Sequence, residues 1–206
     1  MTDLALYSMP SSGNSYKVRL LLGLLGRPYR HIPCEANAPE LAQAKADGHL
    51  PLGKLPALHL PDGTILSESG AILWYLGQST PWVPETPLAQ AQMLAWMFFE
   101  QNRHEPVIAV RASLNCYPHL ADQATPEVMA RLADEGHAIL SLMEEALAHS
   151  PWFAGDAPTL ADIAFYGYTH TAGSRGGFDM ARFPRLAAWC ARIAALPGYR
   201  GLDADA

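Results

Sequence analysis

Lys54-Leu55-Pro56-Ala57-Leu58-His59-Leu60-Pro61-Asp62-Gly63-Thr64-Ile65-Leu66-Ser67-Glu68-Ser69 is the stretch on which the fold turns. Apolar residues alternate as far as Leu60, Pro61 to Thr64 supply turn chemistry, and Ile65-Leu66 opens a second strand. Strands joined this tightly run antiparallel. Ser67-Glu68-Ser69 then caps a helix from about Gly70 to Leu76. Pro56 stands out, because proline cannot donate to a sheet ladder. It is either an ordinary edge-strand proline or a cis proline that turns the Leu55 backbone outward, free to bond an extended peptide.

Upstream, Leu4 to Tyr7 reads as a strand, stopped by Met9-Pro10 and the small polar run Ser11-Ser12-Gly13-Asn14-Ser15. From Tyr16 to Leu25 the period becomes helical, with Val18, Leu21, Leu22 and Leu25 on one face. Gly26 and Pro28 end it. Tyr29 to Pro33 alternates as a second strand, which gives a βαβ unit, and Pro39 to Lys45 reads as a short helix. The first half is therefore βαβ-α-ββ-α around a small mixed sheet.

Downstream of the Pro-containing connector Thr80 to Pro87 the strand signals stop. Leu88 to about Leu114, Pro126 to His149, Leu160 to about Thr171 and Pro184 to Leu196 all carry helical periodicity. The expected domains are 1–79, α/β, and 87–206, all-α.

Two features of the first half suit a ligand. A helix start at Glu68-Ser69 offers unpaired N–H groups to a carboxylate, Ser69 can donate to it, and Glu68 can accept from an ammonium. Read more plainly, a serine here only caps the helix. The Ser11–Ser15 run collects hydroxyl and amide donors at a helix N-terminus, where a thiolate would be stabilised. It also suits a solvated turn.

Half the residues are hydrophobic, 17% are charged and the formal net charge is -6, so a core is affordable and a broad nucleic-acid surface is not. Cys34, Cys116 and Cys190 lie far apart without metal-ligand spacing, so we expect reduced thiols, no metal and a cytoplasmic protein. Met1-Thr2-Asp3-Leu4 does not open a signal peptide, and no apolar run reaches the ~20 residues of a membrane span.

Taken in order, these segments resemble the cytosolic glutathione transferase superfamily. Tyr7 to Arg19 is similar to its catalytic segment, Gly53 to Leu58 to its cis-proline loop, and Glu68-Ser69-Gly70-Ala71-Ile72 to its Glu-Ser helix start. Ala157 to Ala164 is similar to its N-capping box, with Thr159 capping and Asp162 reaching back, and Phe183 to Tyr199 to its last helices. The resemblance implies a thioredoxin-like N-terminal domain with a four-stranded sheet, an all-helical C-terminal domain, a homodimer, and glutathione as co-substrate. It implies an enzyme that activates the glutathione thiol against small hydrophobic electrophiles, with a peroxidase, reductase, isomerase or non-catalytic binding module as alternatives on the same scaffold.

By the same resemblance, Leu55 beside Pro56 pairs with the cysteinyl part of glutathione, Glu68 and Ser69 hold its γ-glutamyl end, and Lys54 steers its glycyl carboxylate. Serine-type and Thr/Asn-type members place the thiol partner at Ser12, with Asn14 second; Ser11 and Tyr7 remain open. The loop holds no cysteine, unlike the redox-type members. Ser12-Gly13-Asn14 also departs from the Ser-Ser-Cys loop of maleylacetoacetate isomerases. The electrophile site is expected between the domains, along the first helix of the second half. Of Trp96, Phe99, Glu100, Arg103, His104, Val107 and Arg111 there, the aromatic stripe reads as core and Arg103, Val107 and Arg111 as substrate-facing. His104 reads as a plain surface residue, and Pro106 should kink the helix.

Overall fold

The computed structural model describes residues 4–204. The chain divides into two compact units, Met1–Thr80 with Ala194–Ala206, and Pro81–Ile193.

The first unit runs β1 (Leu4–Ser8), α1 (Gly13–Leu24), β2 (Tyr29–Pro33), α2 (Pro39–Ala46), β3 (Ala57–His59), β4 (Ile65–Ser67) and α3 (Ser69–Gly77). The sheet order is β2-β1-β3-β4, with β1 parallel to β2 and antiparallel to β3, and β3 antiparallel to β4. This is the mixed four-stranded sheet expected. Side chains alternate across β1. Ser8 meets α1, whereas Tyr7 joins Cys34, Ala44, Leu50 and Ala57 in a cluster on the α2 side. α1 and α3 pack together, and α1 buries Val18, Leu20, Leu21 and Leu22 completely, worth roughly 1.5–3 kcal/mol each.

Residues 194–206 group with this unit, although the sequence pattern alone continues the helical half to the end of the chain. The reason lies on α1. The Tyr16 hydroxyl donates to the Arg200 carbonyl at 2.8 Å, and Arg19 donates to the Leu202 carbonyl at 3.1 Å. Gly23 and Gly198 make this crossing possible: a Cβ on Gly23 would stand 2.8 Å from the Gly198 oxygen.

The second unit contains α4 (Pro87–Phe99), α5 (Glu105–Cys116), α6 (Pro126–His149), α7 (Leu160–Thr169) and α8 (Pro184–Ala194), whose last residue falls in the first unit. Thr86 and Thr125 cap α4 and α6, each followed by proline in the first turn, where a missing N–H costs nothing. The single helix expected from Leu88 to about Leu114 is interrupted by a π-helical turn, Glu100–His104. Pro106 brings no N–H to the ladder, and just before it Glu105 N–H bonds the Glu100 carbonyl five residues back. The kink expected at Pro106 is thus realised as a widened turn ahead of it.

The stripe residues Trp96 and Phe99 are half-buried and join the buried aromatic core. Trp96, Phe99, Phe153, Phe165 and Trp189 pack ring on ring, with Phe153 and Phe165 centroids 4.5 Å apart. His104 is not a surface residue; it is fully buried, with Nε2 3.0 Å from Thr169 Oγ1 and Nδ1 3.5 Å from Glu100 Oε1. Asp162 closes the capping box by accepting from Thr159 N–H at 2.8 Å. It also accepts from Trp189 Nε1 at 2.9 Å and Phe153 N–H at 3.2 Å. Among the described residues no helix is long and apolar enough to cross a membrane.

The three cysteines are free and differ in exposure. Burial pushes the Cys34 thiol up, with the Glu40 carboxylate adding to it, and burial pushes Cys190 up to about 12 against the pull of Arg192. Only Cys116 is exposed. At pH 8 a chromogenic disulfide reagent should therefore titrate one thiol rapidly in the native protein and two more only on denaturation. Loss of the fast phase in Cys116→Ser identifies it.

Candidate active site

The sheet register explains why distant segments meet. Tyr7, Ala57 and Ser67 form one row across β1, β3 and β4. One step beyond that row, β1 enters the Met9–Ser12 loop, β3 is preceded by Leu55-Pro56, and β4 passes into Glu68-Ser69. All three candidate segments therefore emerge at one end of the sheet.

Proline 56 sits just outside the ladder, so its missing N–H breaks no strand bond, and the Leu55–Pro56 peptide is cis. Among the described residues the Leu55 backbone has no protein hydrogen-bond partner, as the outward-facing reading requires. Lys54 beside it is exposed. Glu68 is exposed and occupies the N-cap of α3 with φ 68, a left-handed backbone costly for a non-glycine residue. Its side chain makes no cap hydrogen bond, so neither Ser67 nor Glu68 spends the helix start on a simple cap. Ser67 Oγ is buried without a partner, and Ser69 is buried.

α1 begins three residues before the helical periodicity does. Ser12 is its N-cap, accepting from Ser15 N–H at 3.4 Å, and Asn14 lies in the first turn. An accepting cap hydroxyl keeps its own proton for donation. Ser11 differs, because its hydroxyl and N–H both donate to the Glu35 carboxylate, at 2.7 and 3.2 Å. Asn14 Oδ1 accepts from Lys17 Nζ at 2.7 Å and from Ser69 Oγ at 3.4 Å. That last contact joins the first turns of α1 and α3 directly.

Tyr7 takes no part in this loop. Its ring lies between His49 and His59, 4.7 Å from each, and burial raises its phenol against the opposing pull of Arg30. It faces the side of the sheet opposite α1.

The loop is held by a residue that sequence reasoning passed over. Arg19 is buried on α1 and donates to Ser8 Oγ, the Met9 and Pro10 carbonyls and the Leu202 carbonyl, at 2.8 to 3.2 Å. Ser8, having accepted from Arg19, can donate to His31 Nε2 at 2.7 Å. The available signal was two basic residues, Lys17 and Arg19, inside a helix whose every residue from Ser15 to Leu22 is buried.

Of the substrate-facing candidates, Arg103 and Val107 line a cavity of about 650 Å³ within the second unit, with Phe99, Pro106 and Ile139. Arg111 is committed to the scaffold: it donates to the Gly176 carbonyl at 2.7 Å and to the Met129 carbonyl, and stacks over Phe178. Among the described residues no group of three or more His, Cys, Asp or Glu could hold a metal.

The mixed four-stranded sheet, the cis-proline loop and two helix N-termini at one end place the first unit in the thioredoxin-like fold class. Comparison with known proteins makes it specific. The profile of the glutathione S-transferase N-terminal domain matches residues 6–84, and that of the C-terminal domain matches residues 126–192. A solved glutathione S-transferase from Pseudomonas fluorescens Pf-5 is 38% identical, with a TM-score of 0.91 over 98% of this chain and 99% of that one. The disulfide-bond oxidoreductase YfcG of Escherichia coli K12 is 29% identical over 93% of this chain and 90% of its own. Ure2p, solved in complex with glutathione, is 26% identical, with a TM-score of 0.83 over 95% and 90%. The chain belongs to the glutathione S-transferase family.

Replacing Arg19 by Met should cost on the order of 2–4 kcal/mol, because four carbonyl or hydroxyl acceptors lose a charged donor. Urea unfolding measures the loss, and amide hydrogen exchange at Met9, Ser11 and Ser12 should quicken well beyond it.

Proposed function

We propose that the chain is a glutathione transferase of the serine/asparagine-loop type, presenting the glutathione thiolate to small hydrophobic electrophiles. The observation that carries this reading is the Asn14–Ser69 contact, which couples the thiol-facing loop to the γ-glutamyl seat. The ligand carboxylate takes the N–H groups of α3 and the Ser69 hydroxyl, and the exposed Glu68 accepts from the ammonium. The Leu55 backbone pairs with the cysteinyl residue in the manner of an added strand, and Lys54 meets the glycyl carboxylate. The sulfur then lies at the start of α1, where the Ser12 hydroxyl, the Asn14 amide and the helix dipole all favour the anion. The thiol proton leaves to water, and the thiolate sulfur bonds the electrophilic carbon while the pair of the bond broken there departs with the leaving group or, in an addition, moves onto the neighbouring atom and takes a proton from water. Arg103 and Val107 are the electrophile-side residues of this reading, and Arg111 serves to hold their helix. The working protein is a homodimer in the cytoplasm.

A second reading, reduction of mixed disulfides on the same site, is favoured by the name of the Escherichia coli relative. The same thiolate would serve it, with glutathione supplying the second thiol and no cysteine needed in the loop.

The test is a spectroscopic titration of bound glutathione at the thiolate absorbance band. A charge-assisted hydrogen bond of about 1.5–3 kcal/mol corresponds to a shift of roughly 1–2 pKa units. In wild type the bound thiol should titrate below the free thiol, and Ser12→Ala should raise it by about one unit, with Kd unchanged below the wild-type bound pKa and weakened by up to about tenfold above it. Conjugation by the variant then falls about tenfold below the wild-type pKa and recovers above its own. A bound thiol that titrates like the free one in wild type rejects the transferase reading in favour of a binding module.

A further inference from the structure

We propose that Lys17 is a positioning residue that orients the Asn14 amide, a role that rests on Asn14 being a thiol partner. A carboxamide has one accepting and one donating end, and rotation by half a turn about its last bond exchanges them. Only the donating end stabilises a thiolate; the oxygen, turned toward the sulfur, would set lone pairs against an anion. Something must therefore fix the amide.

Lys17 is placed to do so. It lies one turn along α1 from Asn14, on the same helix face, and is 1% exposed. An ammonium can only donate, so the Asn14 atom 2.7 Å from Nζ is its oxygen. The planar amide then carries Nδ2 away from Lys17. Ser69 Oγ is a second donor to the same oxygen, at the longer distance of 3.4 Å. Once a carboxylate occupies the α3 N-terminus it is the better acceptor for that hydroxyl. In the bound state Lys17 still holds the oxygen, and the amide stays in its thiolate-stabilising orientation as the ligand arrives.

A positive charge could also lower the thiol pKa through space, without Asn14. The two routes separate in a mutant cycle. The bound glutathione thiol is titrated in wild type, Lys17→Met, Asn14→Ala and the double variant, with Kd measured alongside. Lys17→Met should raise the thiol pKa by at least half as much as Asn14→Ala does. In the Asn14→Ala background it should add less than about 0.3 unit, because its effect passes through the missing amide. Lys17→Gln, which keeps a donor and discards the charge, should titrate close to wild type, and it also serves if the Met variant does not fold.

A wild-type pKa in Lys17→Met overturns the proposal, as does an undiminished effect in the Asn14→Ala background or a failure of Lys17→Gln to restore the shift. If Asn14→Ala leaves the thiol unmoved while Ser12→Ala shifts it, the transferase reading survives and the Lys17 role falls with that of Asn14.

Discussion

The Arg19 guanidinium is the constraint on which the rest of the site depends. Ser8, Met9 and Pro10 leave the sheet with their polar groups turned inward, and one buried cation collects three of them. A further bond, to the Leu202 carbonyl, ties residues 200–202 to α1. Burying an arginine is tolerable only where its donors are met, and here four acceptors meet it. With the loop fixed, Ser12 falls at the α1 N-cap and Asn14 beside Ser69. The loop that carries Ser12 and Asn14 is thus positioned by a residue outside the candidate site.

The same arrangement explains how a modest set of groups can change the state of a thiol. Each donor, taken alone, offers about 1–3 kcal/mol, and a helix N-terminus up to ~2 kcal/mol in partly buried geometry. Two of these acting on one sulfur are enough to make a thiol largely ionised at neutral pH. Ser11 and Tyr7 are placed differently from Ser12 and Asn14, for separate reasons. The Ser11 hydroxyl already serves Glu35, and Tyr7 lies across the sheet among His49, His59 and Cys34. The candidates that sequence spacing left side by side are separated by hydrogen-bond direction and by the alternation of β1.

Much of the fold was legible because alternation, turn residues and capping are local signals. The four strands, the first-half helices and the Thr159–Asp162 box all follow from residues within a few positions of one another. The resemblance pointed to Ser12, but its cap role was hidden, since Gly13-Asn14-Ser15 carry no apolar period. The π turn at Glu100–His104 was illegible for a related reason: over five residues its period differs from that of an α-helix by less than one residue per turn. The return of residues 198–202 to α1 depends on contacts across about 180 residues, and no local pattern announces it. The burial of Lys17 and Arg19 depends on the packing around α1, which no local pattern announces.

Membership of the glutathione S-transferase family leaves the reaction to be decided by the site, since relatives on this scaffold bear the names of a transferase, an oxidoreductase and Ure2p. The central claim is that one sulfur sits at the start of α1. A crystal structure of the protein with glutathione tests it most directly. The account predicts the sulfur within hydrogen-bond reach of Ser12 Oγ and Asn14 Nδ2, with the γ-glutamyl carboxylate on the α3 N-terminus. A sulfur turned away from that loop, or a tripeptide bound elsewhere than against Leu55 and Ser69, would contradict it.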